Sequence, residues 1–235
     1  MPPSEIAARL AALDATPTPL AARLDDGPPL GARAVVLPSA FNPPTIAHLH
    51  LLEVARGAAS ADSAIALLTT RNVAKEVFGA DLAHRVGMLL ALRSTQPHLA
   101  VMAANVARIA DQGVALRGAF PGVEFDFVMG YDTLVRLFQS TYYTDMPAEL
   151  AAFFAHHRVV ATNRAEATVD VVRALLDEPY VRPFADRIIV AAADEHPASL
   201  SSTQAREEVR RREGTAAVPA PVLEYIHEHG LYIEG

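Results

Sequence analysis

A hydroxyl and an imidazole three residues apart, Thr45 and His48, follow the pair Pro43-Pro44 and open an apolar pattern at Ile46, Leu49, Leu51, Leu52 and Val54. That pattern suits a helix beginning near Thr45, with His48 in its first turn. Backbone N–H groups and the positive end of the helix dipole collect at such a place. They suit an anion such as phosphate, and the two side chains add donors on one face. The plain alternative is a strand, a turn and a helix whose His48 is solvent-exposed or satisfied in the core. A second set, Ser201, Ser202, Thr203 and Arg206, repeats the chemistry near the other end of the chain. Hydroxyls open a helix, and a guanidinium one turn on can fork onto phosphate oxygens. Taken alone, Ser-Ser-Thr before a helix is also what an ordinary cap looks like.

Both sets need elements to hold them. Val35, Val36 and Leu37 form a short buried strand that stops at Pro38, which has no N–H to give a ladder. Further strands are expected at 63–70, 101–104, 124–129, 158–164 and 188–191, with helical periodicity at 169–176 between the last two. Strands alternating with helices are the pattern of an α/β chain with a parallel sheet covered on both faces. The stretch 105–123 is short and punctuated by Gly113, Gly118 and Gly122, and no element is assigned to it. Residues 1–33 read as a peripheral N-terminal arm, with Ser4 capping a short amphipathic helix through Ile6, Leu10 and Leu13. Residues 34–235 read as one domain.

Composition narrows the chemistry. With 235 residues, half of them hydrophobic, and a formal net charge of −7, the chain is a compact globular protein without a general polyanion-binding surface. Nucleic acid is therefore not an expected partner. No cysteine is present, so thiolate metal sites, disulfides and cysteine nucleophiles are excluded. No segment is long and apolar enough to span a bilayer, and the N-terminal stretch lacks a basic start and apolar core, so cytoplasmic residence is the expectation. His227 and His229 at i, i+2 point to different sides of a helix, and no protein-held metal is expected.

The stretch Ser39-Ala40-Phe41-Asn42-Pro43-Pro44-Thr45-Ile46-Ala47-His48 resembles the phosphate loop of the nucleotidyltransferase superfamily, and most nearly that of the nicotinamide mononucleotide adenylyltransferases. Ser39 stands where the loop glycine is usual, and Ala47 where many members have glycine. Leu200-Ser201-Ser202-Thr203-Gln204-Ala205-Arg206 is similar to the family's I-S-S-T-x-I-R, and Gly130-Tyr131-Asp132-Thr133-Leu134 to its G-x-D-x-L after a strand. The ending, residues 218–232, resembles the family's closing P-x-x-V-x-x-Y-I-x-x-x-x-L-Y, a helix assigned here to packing. The family's Y-T-x-D-T-L motif is not found.

The resemblance implies a Rossmann-like fold and an adenylyltransferase joining AMP from ATP to nicotinamide or nicotinate mononucleotide, with Mg²⁺ carried largely by the phosphates. It gives His48 and Thr45 the α-phosphate region, and Ser201, Ser202, Thr203 and Arg206 the leaving pyrophosphate. Ser39, Ala40, Phe41, Gly130 and Asp132 would line the nucleotide groove. Lys75, in the family's lysine position before His84-Arg85-Val86-Gly87-Met88, would meet the acceptor phosphate, or be a solvated loop charge. His84 and Arg85 are read as holding their helix in place. Gly130 and Asp132 also suit a turn and a helix cap. Tyr143 is placed where the family puts a tryptophan that stacks on the pyridine ring, and this chain has none; a packing role is the alternative. A related transferase acting on another phosphorylated acceptor, such as phosphopantetheine, and a nucleotide-sensing module without turnover are the rival readings.

Overall fold

The computed structural model describes residues 1–71, 79–163, 167–194, 201–211 and 215–233. Helix α1 (Pro3–Asp14) leads to β1 (Ala21–Arg23), then β2 (Arg33–Pro38), α2 (Ile46–Ala59), β3 (Ser63–Thr69), α3 (Leu82–Leu92) and β4 (Leu99–Ala104). The second half runs α4 (Ile109–Ala119), β5 (Glu124–Gly130), α5 (Tyr131–Leu137), α6 (Met146–His156), β6 (Arg158–Thr162), α7 (Val169–Leu176), β7 (Ile188–Ala191), α8 (Ser202–Arg210) and α9 (Ala220–Glu228). Seven strands form one sheet in the order β1-β4-β3-β2-β5-β6-β7. All neighbours are parallel except β1, which lies antiparallel on β4. The expected α/β, Rossmann-like architecture is thus the one observed.

The sheet is central because its strands are apolar on both faces. Successive side chains of a strand point to opposite sides. Val35 and Leu37 join the core under α1, α2, α3 and α9, while Ala34 and Val36 join the core under α4 and α6. In β5, Phe125, Phe127 and Met129 face the second core and Val128 the first. Asp126 breaks the apolar run, and its buried carboxylate is held by Arg33 at 3.0 Å and Arg158 at 2.6 Å. This ion-pair cluster lies at the N-terminal ends of β2 and β6, the edge away from the loops that follow β2 and β5.

The structure adds one element and changes one expectation. In the stretch 105–123, to which the sequence assigns no element, α4 forms across Gly113 and Gly118. A Cβ on Gly113 would meet the His157 ring 2.7 Å away, so this glycine serves helix packing rather than a turn. Ser4 does not cap α1, whose N-cap is Pro2 with Pro3 in the first turn, where a missing N–H costs nothing. The helix still buries Ile6, Leu10 and Leu13, against α3. The segment after it is tied down by the buried Asn105. Its amide nitrogen donates to Thr16 O (2.8 Å) and Thr18 O (2.9 Å), and its oxygen accepts from Leu20 N.

Candidate active site

Strand β2 has β3 on one side and β5 on the other, so the chain's winding direction reverses between β2 and β5. In open α/β sheets the crevice beyond the C-terminal ends of the strands at such a switch point is where ligands bind. The loop 39–45 leaves β2 there, and Gly130 ends β5 beside it.

The loop is held at several points. Thr45 caps α2 with extended backbone, and it closes a capping box with His48 in the place that Glu or Gln usually takes. The Thr45 N–H donates to His48 Nδ1 at 3.0 Å, and the Thr45 hydroxyl lies 2.8 Å from the same nitrogen. A backbone N–H can only donate, so Nδ1 is the acceptor. The neutral ring then carries its proton on Nε2, which lies 3.1 Å from Ser39 Oγ. Thr45 is wholly buried, and its contacts with Nδ1 orient the histidine ring. The left-handed backbone that a phosphate loop often assigns to glycine falls on Phe41 (φ 45°), not on Ser39. Phe41 is buried with its ring 4.9 Å from that of His48, leaving its backbone as what it can offer a ligand.

Residues distant in sequence grip the same loop. The Arg206 guanidinium donates to Asn42 O at 2.5 Å and to Thr203 Oγ1 at 3.2 Å. Ser202 Oγ donates to Pro43 O at 2.8 Å. Ser201 is the N-cap of α8, accepting from Gln204 N. The buried Asn42 side-chain oxygen accepts from the Tyr232 hydroxyl at 2.8 Å and from Ala80 N at 3.3 Å. Burial raises the Tyr232 pKa, keeping it a neutral donor.

Two concavities flank the loop. A cleft of about 410 Å³ is lined by Ser39, Ala40, Thr69, Arg85, Gln112, Arg136 and Tyr143, among others. A cavity of about 580 Å³ is lined by Gly79, Ala80, Thr203, Arg206, Arg210 and Tyr232. Ser39, Ala40 and Tyr143 thus share the first, Thr203 and Arg206 the second, and His48 reaches the loop between them. Tyr143 packs its ring on the second core and donates its hydroxyl to Leu137 O at 2.5 Å; burial pushes its pKa up to about 12. Gly130 N-caps α5, and Asp132 is exposed in the first turn of that helix, one residue from the cleft-lining Thr133. Lys75 lies outside the described residues.

The sequence reading did not place Asn42, Arg85, Gln112 or Tyr232 in the site. Asn42 stands inside the phosphate-loop stretch and could have been included. In sequence Arg85 reads as structural. Gln112 donates to Ala107 O at 3.1 Å, while its buried Oε1 has no partner among the described residues. Nothing local marks Gln112, whereas Tyr232 is the last residue of the closing pattern that ends in Leu-Tyr.

The same architecture occurs in solved structures. The chain superposes on Plasmodium falciparum nicotinic acid mononucleotide adenylyltransferase complexed with NaAD, with TM-score 0.62 and 13% identity over 85% of this chain and 97% of that one. The same parasite enzyme complexed with APC gives TM-score 0.59 and 13% identity, over 85% and 96%. At that identity the likeness establishes the fold. A comparison with curated protein sequences gives no match. The family described as cytidylyltransferase-like matches residues 36–208, from β2 through the Ser-Ser-Thr helix. With that match spanning well over half of its length, the chain belongs to the cytidylyltransferase-like family.

Proposed function

We propose that this protein transfers the AMP part of ATP to nicotinamide or nicotinate mononucleotide and releases pyrophosphate. The observation that carries this is the meeting of two phosphate-handling segments on one loop. The helix that opens with Ser201 docks on Asn42 and Pro43, beside the His48 whose Nε2 carries the proton. A cleft on one side of that loop and a cavity on the other give two substrates separate seats. The parasite enzyme with this fold is described as a nicotinic acid mononucleotide adenylyltransferase bound to NaAD, which supports the choice of acceptor.

In this reading an oxygen of the mononucleotide phosphate attacks the α-phosphorus. The bond from that phosphorus to the bridging oxygen breaks, and pyrophosphate leaves with the electron pair. The attacking group is already an anion, so no general base is needed; alignment and charge stabilisation are the protein's tasks. His48 donates from Nε2 to the transferring phosphoryl group. Arg206, Ser201, Ser202 and Thr203 hold the leaving pyrophosphate. Ser39 and Ala40, with Gly130 and Asp132 nearby, line the nucleotide groove. Tyr143 offers a ring to the pyridine, and Lys75 meets the acceptor phosphate.

Mg²⁺ would come with ATP and offset charge on its phosphates. Hydroxyls and guanidinium groups at the loop are donors suited to phosphate oxygens. Among the described residues no group of three His, Asp or Glu is placed to hold an ion directly. The test is to incubate the protein with ATP, Mg²⁺ and a panel of acceptors and to measure pyrophosphate. Release with pyridine mononucleotides is expected. Release only with phosphopantetheine, or nucleotide binding without release, overturns the reading.

A further inference from the structure

Arg85, on α3, is 5% exposed and makes a single hydrogen bond among the described residues, from Nε to Ala80 O at 2.7 Å. A guanidinium taken out of water is costly unless an anion compensates it, and among the described residues no carboxylate pairs with this one. Asp81 is the adjacent acid, but it is exposed and engaged in capping α3 through His84 N. Burial lowers the Arg85 pKa, only partly opposed by Tyr232 and Asp81, and Arg206 acts on it more weakly as a like charge.

Position sharpens the point. Arg85 lines the cleft that Ser39, Ala40 and Tyr143 share, while its partner Ala80 lines the cavity of Arg206. It therefore stands at the partition between the two. Among the described residues no Asp or Glu lines the cleft. Of its other two arginines, Arg108 is neutralised by Asp111 and Glu149, both at 2.8 Å, and Arg136 is exposed, bonding to Asp132 O and Thr133 Oγ1. Holding α3 in place uses the one Arg85 donor that faces Ala80 and accounts for neither terminal nitrogen.

We propose that Arg85 is a specificity-determining ligand for the phosphate of the acceptor mononucleotide, its two terminal nitrogens donating to two non-bridging oxygens. The assignment rests on the function proposed above. A planar fork suits a phosphate better than an ammonium does, so lysine is a poor substitute.

The experiment compares Arg85→Met and Arg85→Lys with the wild type, using a pyridine mononucleotide and the corresponding riboside, which lacks the phosphate. Arg85→Met is expected to raise the KM for the mononucleotide by roughly 10- to 100-fold, the scale of lost charge-assisted hydrogen bonds, and to leave the KM for ATP unchanged. Arg85→Lys is expected to recover part of the loss. In the wild type the mononucleotide should bind more tightly than the riboside, and Arg85→Met should shrink that margin. A merely structural arginine would not move the margin, so an unchanged margin overturns the proposal, as does a rise confined to ATP. Should both variants fail to fold, titration of the wild type decides. The Arg85 Nε–H resonance must shift with mononucleotide and not with riboside, and an unmoved resonance overturns the proposal. If no mononucleotide yields pyrophosphate, the proposed function fails; the binding margin and the resonance still read Arg85.

Discussion

Ser39 Oγ lies 3.1 Å from His48 Nε2, while the Thr45 N–H fills Nδ1 from the other side of the ring. The imidazole is thus oriented by backbone at one nitrogen and presents a donor at the other. Ser39, which replaces the glycine usual at this point of the loop, accepts from the atom that would donate to a phosphate.

Two substitutions separate these roles. His48→Ala should lower turnover by roughly 100- to 1,000-fold, the cost of one preorganised donor. It should also cost about 1 kcal/mol of stability, because the capping box loses a member. Ser39→Gly should keep turnover within about fivefold of the parent, since a neutral hydrogen bond is worth about 1 kcal/mol. Pyrophosphate-release kinetics and thermal melts check both, and a fully active His48→Ala removes His48 from the chemistry.

Arg206 has two donors committed, to Asn42 O and Thr203 Oγ1, and no carboxylate partner among the described residues. Arg206→Ala should raise the KM for ATP by about 10- to 100-fold with a smaller effect on the acceptor. Arg206→Lys should restore little of this, because the fork that spans Asn42 and Thr203 is lost. Unchanged ATP affinity in a folded Arg206→Ala protein would take the second phosphate segment out of the site.

Tyr143 tests the acceptor seat. Its hydroxyl is spent on Leu137 O, so Tyr143→Phe should cost about 1 kcal/mol of stability and leave the mononucleotide KM near the parent value. Tyr143→Ala should weaken the mononucleotide by about 1 kcal/mol or more while sparing ATP, the scale of an aromatic contact. Urea melts and steady-state kinetics distinguish the two; loss of ATP binding instead would move the acceptor elsewhere.

His157 supplies a pH prediction apart from the site. It is 5% exposed, packs on Phe127 and Phe153, and shares its Nδ1 proton with Phe125 O at 3.3 Å. Burial lowers its pKa from 6.5 to about 4. The unfolded chain therefore binds the extra proton between those values, and stability rises with pH across that window. The His157 contribution is fully present above about pH 6.5, declines as the pH falls, and has lost up to about 3 kcal/mol near pH 4. His157→Phe should flatten the slope of chemical-denaturation stability between pH 4 and 6.5, and an unaltered slope would refute the assignment.

Six of the seven strands, α2 beginning at Thr45, and α7 were legible in the sequence, because each depends on local periodicity and on the proline or hydroxyl residues at its ends. The same local logic placed His48 in a first helical turn and Ser201 at a cap. It left α4 unassigned, because Gly113 resembles punctuation until His157 is seen against it. It missed β1, three residues in a proline-rich stretch whose pairing is supplied by β4. The assembly of the site was a tertiary decision. Arg206 meets Asn42 across 164 residues and Tyr232 meets it across 190, and no sequence periodicity extends that far. Likewise, the two residues of the pair His84-Arg85 read alike as helix anchors in sequence. Only the packing of α3 buries Arg85 beside the cleft without a paired carboxylate among the described residues, because burial and pairing are set by what other segments bring to a side chain.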